Sequence, residues 1–346
     1  MFDNNTKRLG FACKIQENPG KAVSALNTST TTLTWLNNQT KDRALQRIWE
    51  IAKRNTQILQ RQMLWLAALP KQQRMMRLTS DVLPAYTHEN WMWAYFENDM
   101  IQLLERELGK VGDLARQHDI RLSFHPGQFC VLASENPQIV ENSIMEFEYH
   151  CDLIRYMGFG KQFQDFKCNV HIGGKQGPDG IKRVLNKLSR EARNCLTIEN
   201  AEFSWGLDHS LELVDHCALV LDIHHHWIHT GEYIEPSDDR VKRIQDSWRG
   251  VRPVIHYSVS REDHIGDHCE DTKPDLNELL QLGFTKAKLR AHSDFYWNRA
   301  CNEWAMLFND DFDIMLEAKE KNLSRERLLN VKNRSTSGNV MVELFN

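Results

Sequence analysis

Eight ionisable residues of this 346-residue chain share one setting: an apolar run, the ionisable residue, then a turn or polar segment. His125 follows Arg121-Leu122-Ser123-Phe124 and runs into Pro126-Gly127. His171 ends Asn169-Val170-His171, ahead of Gly173-Gly174. Glu199 ends Leu196-Thr197-Ile198, and Asp222 ends Leu219-Val220-Leu221, with His225 one turn later. His256 follows Pro253-Val254-Ile255, Glu317 follows Ile314-Met315-Leu316, and His292 sits in Ala291-His292-Ser293-Asp294. Imidazole and carboxylate together suit Zn, Mn or Fe. Gathering so many ionisable groups in a protein interior is costly unless a cation compensates them. No thiolate joins the set, which favours manganese over zinc. About eight ligands exceed the needs of one ion, so two or three divalent ions are expected, with carboxylates such as Glu199 placed to bridge. Such a cluster suits hydrolysis at phosphorus, where ions activate water and stabilise the leaving oxygen. A sugar isomerase or epimerase would use similar donors.

The elements that must position these residues are short and apolar. Candidate strands are Arg8–Lys14, Arg74–Thr79, Arg121–His125, Cys168–Ile172, Cys195–Glu199, Val220–Asp222, Pro253–Tyr257 and Phe312–Leu316. Near-continuous apolar runs of this length fit parallel strands covered on both faces. Helix-like segments at 41–68, 90–118, 137–158, 178–192, 209–216 and 237–248 fall between them, with Asp208 and Ser237 as candidate caps. Eight strands with helical crossovers imply a closed barrel or a doubly wound sheet, and the count of eight favours a single-domain TIM (β/α)8 barrel, whose active sites lie at the C-terminal strand ends. The barrel domain is expected over 1–332, with a long polar insert at 261–288 and a tail from 333 to 346.

Composition excludes several classes. The N-terminus, Met1 to Lys7, has no signal-peptide shape, and the longest apolar runs, such as Met63–Leu69, are far too short to span a membrane. Eight single cysteines without a CxxC pair read as reduced thiols, so a cytoplasmic protein is expected. A net charge of −4 does not announce a nucleic-acid binder, yet nine Lys or Arg fall between Lys41 and Arg77 against only Asp42 and Glu50. That run is either a phosphate-binding face or a solvated helix.

The segments Leu9-Gly10-Phe11, Arg77-Leu78-Thr79-Ser80-Asp81, Phe124-His125-Pro126-Gly127-Gln128-Phe129, Asn169-Val170-His171-Ile172-Gly173-Gly174, Leu196-Thr197-Ile198-Glu199-Asn200, Leu221-Asp222-Ile223-His224-His225, Ala291-His292-Ser293-Asp294 and Met315-Leu316-Glu317-Ala318-Lys319 resemble the UV damage endonuclease family, in order from about residue 8 to 320. The resemblance implies a barrel related to endonuclease IV. It implies an enzyme that nicks damaged double-stranded DNA on the 5′ side of UV photoproducts and other lesions, starting excision repair. It also implies up to three divalent ions, usually manganese, on His125, His171, Glu199, Asp222, His225, His256, His292 and Glu317. Glu199, His125 and His256 are the residues expected to carry the chemistry. By the same similarity, Gln128 and Phe129 match a pair that wedges into the duplex, and Phe11 matches a position lining the damaged-strand pocket. A weakened stack makes extruding a lesion easier, and an amide plus an aromatic ring can fill the gap. The alternative for Phe129 is an ordinary core aromatic. Arg77, Ser80 and Lys175 are candidate phosphate contacts.

The chain departs from the family at Val254, where a Lys that can become a metal ligand is usual two residues before the His. Residues two apart on a strand face the same way, so Val254 should point inward beside His256. Fewer ligands, water, or His264, Asp267 or His268 of the insert would then have to compensate; the plainer reading of those three is solvated loop. His224 and His226 read as structural neighbours of His225, and Trp205, Trp227 and Trp297 as packing. An abasic-site endonuclease, a sugar isomerase and a non-catalytic binder of damaged DNA remain the alternatives.

Overall fold

A computed structural model describes residues 2–336 in backbone, and side chains as far as residue 330. Eight parallel strands close into a barrel in chain order. They are β1 (Leu9–Ala12), β2 (Met75–Arg77), β3 (Arg121–Phe124), β4 (Lys167–His171), β5 (Leu196–Glu199), β6 (Ala218–Asp222), β7 (Val254–Tyr257) and β8 (Asp313–Leu316). Closure comes from β1, which pairs β2 through Phe11 and Met76 and β8 through Gly10 and Met315. Every strand predicted from the sequence is a barrel strand. At one boundary a residue changes element, because Cys195 ends the helix Arg190–Cys195.

Nearly every strand residue is buried, as the apolar runs require. Alternation then sorts the side chains. Gly10, Ala12, Met75, Val220, Val254 and Met315 form an apolar interior layer, in which a Cβ at Gly10 would meet the Met75 side chain at 2.6 Å. Phe11 points the other way, fully buried against Trp65 of the long helix Lys41–Ala67, with Arg325 over its ring. At the N-terminal end of the barrel, Asp313 accepts from Arg121 Nη1 at 2.7 Å and Arg252 Nε at 2.8 Å, and Arg8 pairs with Asp119 at 2.8 Å. This network seals the end opposite the histidines.

The helices follow the sequence reading, with local corrections. Thr40 caps Lys41–Ala67 and Asn136 caps Pro137–Tyr156. The segment 90–118 divides into a short 3-10 turn, Met92–Tyr95, and the helix Asn98–Gln117. Asp208 is not a cap: it lies inside Leu207–Ser210, which starts after Gly206. Asp238, not Ser237, caps Asp239–Ser247. The insert forms three short helices. Its Ile265, Leu276 and Leu279, with Leu289 just beyond it, pack on Trp227 and Ile228, bracing the helix Ile223–Thr230. The expected tail begins inside the helix Lys321–Thr336, and the rest of it lies outside the described residues. Among the described residues no helix is long and apolar enough to cross a membrane.

Candidate metal centre

The C-terminal strand ends bring the predicted residues together. Three groups of donors, each with ligand atoms within 4.8 Å of one another, are His125–His171–Glu199, Glu199–Asp222–His225 and Asp222–His256–Glu317. Glu199 and Asp222 are each shared by two groups. Glu199 is the hub: its Oε2 lies 3.4 Å from His125 Nε2 and 3.1 Å from His256 Nδ1, and its Oε1 lies 3.3 Å from His225 Nδ1. The rings of His125 and His171 are 4.8 Å apart, and those of His171 and His225 5.4 Å apart.

Backbone carbonyls aim three of the imidazoles. His125 Nδ1 bonds to the Pro126 carbonyl at 2.9 Å, His292 Nδ1 to the Glu317 carbonyl at 2.9 Å, and His225 Nδ1 to the Asn200 carbonyl at 3.1 Å. A carbonyl only accepts, so Nδ1 of His125 and of His292 carries the proton and leaves Nε2 its lone pair, the usual way a protein fixes a ligating histidine; in His225 the carbonyl-bonded Nδ1 is also the nitrogen that faces Glu199 Oε1. Local capping sets Asp222 and His225: Asp222 Oδ1 caps Ile223–Thr230 by accepting from the His225 backbone N–H at 2.7 Å, leaving Oδ2 without a hydrogen bond and 3.8 Å from His225 Nδ1. Successive helical residues turn by about 100°, so only one of the three histidines there faces the cluster. His224 stacks on Trp227 and His226 bonds to Glu232 at 2.9 Å. His292 stands outside the three donor groups, anchored at their edge by Glu317.

The donor chemistry fits a divalent cation. Glu199 Oε1, Asp222 Oδ2 and His256 Nδ1 are buried without an aligned hydrogen-bond partner, an arrangement that costs free energy unless something binds them. Burial pushes the imidazoles of His125 and His256 down to about 4, which keeps them neutral, the form that ligates. Burial opposes ionisation of Glu199, yet His256 and His171 hold its carboxyl well below the ordinary range. Burial raises Asp222 to about 8, against the pull of His225 and with the help of Glu199 and Glu317. His225 is raised in spite of burial, by Asp222 and Glu199. A cation entering this cluster would displace those protons.

Other expectations land elsewhere. Val254 faces inward in the apolar layer and holds no ligand atom. His264, Asp267 and His268 take part in none of the donor groups; His264 bonds to the Lys288 carbonyl at 3.0 Å and His268 to the Cys269 carbonyl at 2.9 Å, so the insert does not reach in. Phe11 does not line a DNA surface, because its strand position turns it outward into the helix layer. Arg77 ion-pairs with Glu317 through Nη1. Ser80 lies at 2.8 Å from His150 Nε2, while His150 Nδ1 must donate to the Glu146 carbonyl at 2.7 Å. Its hydroxyl proton is therefore committed to His150, and Ser80 offers a phosphate no donor. Lys175 is exposed and pairs with Glu135 at 3.0 Å. The basic run does not form one face either, since Lys71 and Arg74 precede β2 and Arg77 ends it. Trp205 and Trp297 are half-buried, their indole N–H groups donating to the Gly174 and Ser260 carbonyls, which is packing. Gln128 and Phe129 do stand in the open beside His125, with Phe129 85% exposed, which rules out the core-aromatic reading.

Three contributors escaped the sequence reading. Asn169 donates to Glu199. Asn200 grips the Asp222 backbone at both ends of its amide, donating to the carbonyl at 3.0 Å and accepting from the N–H at 2.8 Å. Lys167 Nζ lies 2.8 Å from His256 Nε2. The signal was available in β4, where Lys167, Asn169 and His171 recur with period two on one face. As an ammonium, Lys167 donates to Nε2 and leaves the ring proton on Nδ1; as an amine, it accepts from Nε2 and frees Nδ1. Burial pushes Lys167 down to about 7, where both forms are accessible.

A closed parallel barrel with a ring of buried and partly buried histidines and carboxylates at its C-terminal mouth defines a TIM-barrel protein with a metal-competent centre. The profile of the family described as UV-endonuclease UvdE matches residues 7–342, and the chain belongs to that family. It is 28% identical over 263 residues to a UV DNA damage endonuclease of Bacillus cereus, covering 73% of each chain. It is 28% identical over 259 residues to a UV-damage endonuclease of Schizosaccharomyces pombe, covering 71% of this chain and 38% of that one. In fold it is similar to the crystal structure of SacUVDE, with TM-score 0.68 and 23% identity over 96% of this chain and 99% of the other. Endonuclease IV from Thermus thermophilus shares the fold at TM-score 0.51 and 12% identity, over 94% and 97%.

Proposed function

We propose that this protein is a DNA-repair endonuclease that cuts the phosphodiester backbone 5′ to UV photoproducts and other distorting lesions, by hydrolysis assisted by two or three divalent ions, with manganese the favoured metal. The carrying observation is the adjacency of two unlike features on one loop: His125 in the donor ring, and the exposed Gln128 and Phe129 three and four residues later. The relatives named as UV damage endonucleases support the same reading.

His125, His171, Glu199, Asp222, His225, His256 and Glu317 would hold the ions, with His292 at the rim. Bound divalent ions would supply Lewis acidity toward water and the phosphate oxygens. The chain's own residues do the rest. Glu199 and Asp222, each shared between donor groups, hold the sites at a fixed spacing. Arg77 offsets the charge of Glu317. Phe129 enters the duplex where a lesion has weakened stacking, and Gln128 offers hydrogen bonds to the bases left unpaired. Recognition by deformability accepts lesions of different chemistry.

The test is to incubate the protein with Mn²⁺ and end-labelled duplexes carrying one defined photoproduct or one abasic site, and to map the nick. Cleavage 5′ to the photoproduct is expected. Cleavage confined to the abasic duplex would replace this reading with an endonuclease IV-type one. Tight lesion binding without a nick would make the protein a damage binder, and absence of both would point to the sugar-isomerase alternative.

A further inference from the structure

We propose that Lys167 is a positioning residue of the metal centre, fixing the His256 ring from across the barrel so that Nδ1 alone faces Glu199 and Glu317. The inference rests on the metal reading above.

Three observations carry it. First, His256 lacks the anchor that its neighbours have. His125, His225 and His292 are each held by a backbone carbonyl, whereas the outer partner of His256 is the Lys167 side chain at 2.8 Å. Secondly, the contact is built into the fold. Lys167 opens β4 and His256 lies in β7, three strands around the barrel, and the two are 2% and 0% exposed. A lysine is almost never buried this deeply without a specific partner, and His256 is its hydrogen-bond partner among the described residues. Thirdly, the opposite edge of the ring is already aimed. His256 Nδ1 lies 3.1 Å from Glu199 Oε2 and 3.3 Å from Glu317 Oε1, within the donor group Asp222–His256–Glu317. With Nε2 engaged by Lys167, Nδ1 is the ring nitrogen turned toward the two carboxylates. Val254, two residues earlier on the same face of β7, is apolar and offers the ring no polar hold.

The experiment measures Mn²⁺ binding by calorimetry and the absorption spectrum of the Co²⁺-loaded protein, for wild type, Lys167→Met, Lys167→Gln, His256→Ala and the Lys167→Met/His256→Ala pair. Loss of a partner that orients a metal ligand typically weakens the metal about 10–100-fold. Lys167→Met is expected to weaken one Mn²⁺ site by that factor and to alter the Co²⁺ spectrum, while the metal-free protein unfolds at or near the wild-type temperature. The double variant should bind no more weakly than His256→Ala alone, because Lys167 acts through that ring. Adding Val254→Lys to Lys167→Met, which offers an amine from the inward position on β7, should recover part of the affinity. Wild-type binding and spectrum in Lys167→Met, or additive losses in the double variant, would overturn the role of Lys167 and leave the metal reading intact. Failure of both Lys167 variants to fold would reassign the residue to stability. Failure of the wild type to bind any divalent ion would overturn the metal reading and this inference together.

Discussion

His125 Nε2 faces Glu199 Oε2 at 3.4 Å, and the same carboxylate meets two further imidazoles through its two oxygens. Glu199→Gln keeps the shape but removes the charge that the donors share. Lesion-dependent nicking with Mn²⁺ is expected to fall at least about 100-fold, since losing a charge-stabilising group costs roughly that much, with the circular dichroism spectrum unchanged. Retained activity would remove Glu199 from the centre.

Phe129 is a large apolar side chain spread in solvent, so folding gains little from it. Phe129→Ala should leave the melting temperature within a degree or two. It should weaken binding to a lesion-bearing duplex by about 1–3 kcal/mol, the usual worth of stacking a base on an aromatic ring. Fluorescence anisotropy with damaged and intact duplexes of the same sequence checks this, and equal loss on both would contradict a lesion-reading role.

Arg77 and Glu317 form a partly buried pair at the inner wall of the centre. Arg77→Met strands the Glu317 carboxylate, and because the pair keeps some solvent access the loss should be about 1–3 kcal/mol, below that of a fully buried pair. Thermal unfolding of the metal-free variant should show that loss, and saturating Mn²⁺ should restore more stability to the variant than it adds to the wild type. If Mn²⁺ stabilises both equally, Glu317 is not part of an ion site.

Burial lowers the His150 imidazole to about 4, even though the Glu146 carbonyl favours its charged form. The unfolded chain, near 6.5, then binds more protons than the native state in between. Stability from this residue is whole above 6.5 and is lost as pH falls toward 4, at about 1.4 kcal/mol per pH unit. The stability advantage of wild type over His150→Gln should therefore shrink from pH 7 to pH 5. A gap that stays constant in denaturant melts would show that His150 takes up its proton in the native state as readily as in the unfolded one.

The sequence carried the barrel because buried parallel strands must be apolar and their ends must hold the polar residues. It carried the donor set for the same reason. It could not say which way Phe11 turns, since alternation needs a register and the strand is apolar on both faces. It could not separate a phosphate-seeking Arg77 from one that neutralises Glu317, because that partner lies 240 residues away. Asp208 and Ser237 were plausible caps by residue type, but capping is decided by backbone angles, and neighbours took the role. Lys167 is not legible from the strand ends, because its side chain works from the first residue of β4 on a partner three strands away.

The carbonyls of Pro126, Asn200 and Glu317, which hold His125, His225 and His292, belong to the path of the chain and not to any side chain. Mutational drift can rewrite the side chains around the barrel mouth without re-aiming those three donors, so long as the loop lengths are kept. Substitutions there can reshape the surface of the mouth while the imidazoles stay aimed, and insertions beside residues 126, 200 or 317 are the changes expected to disturb that aim.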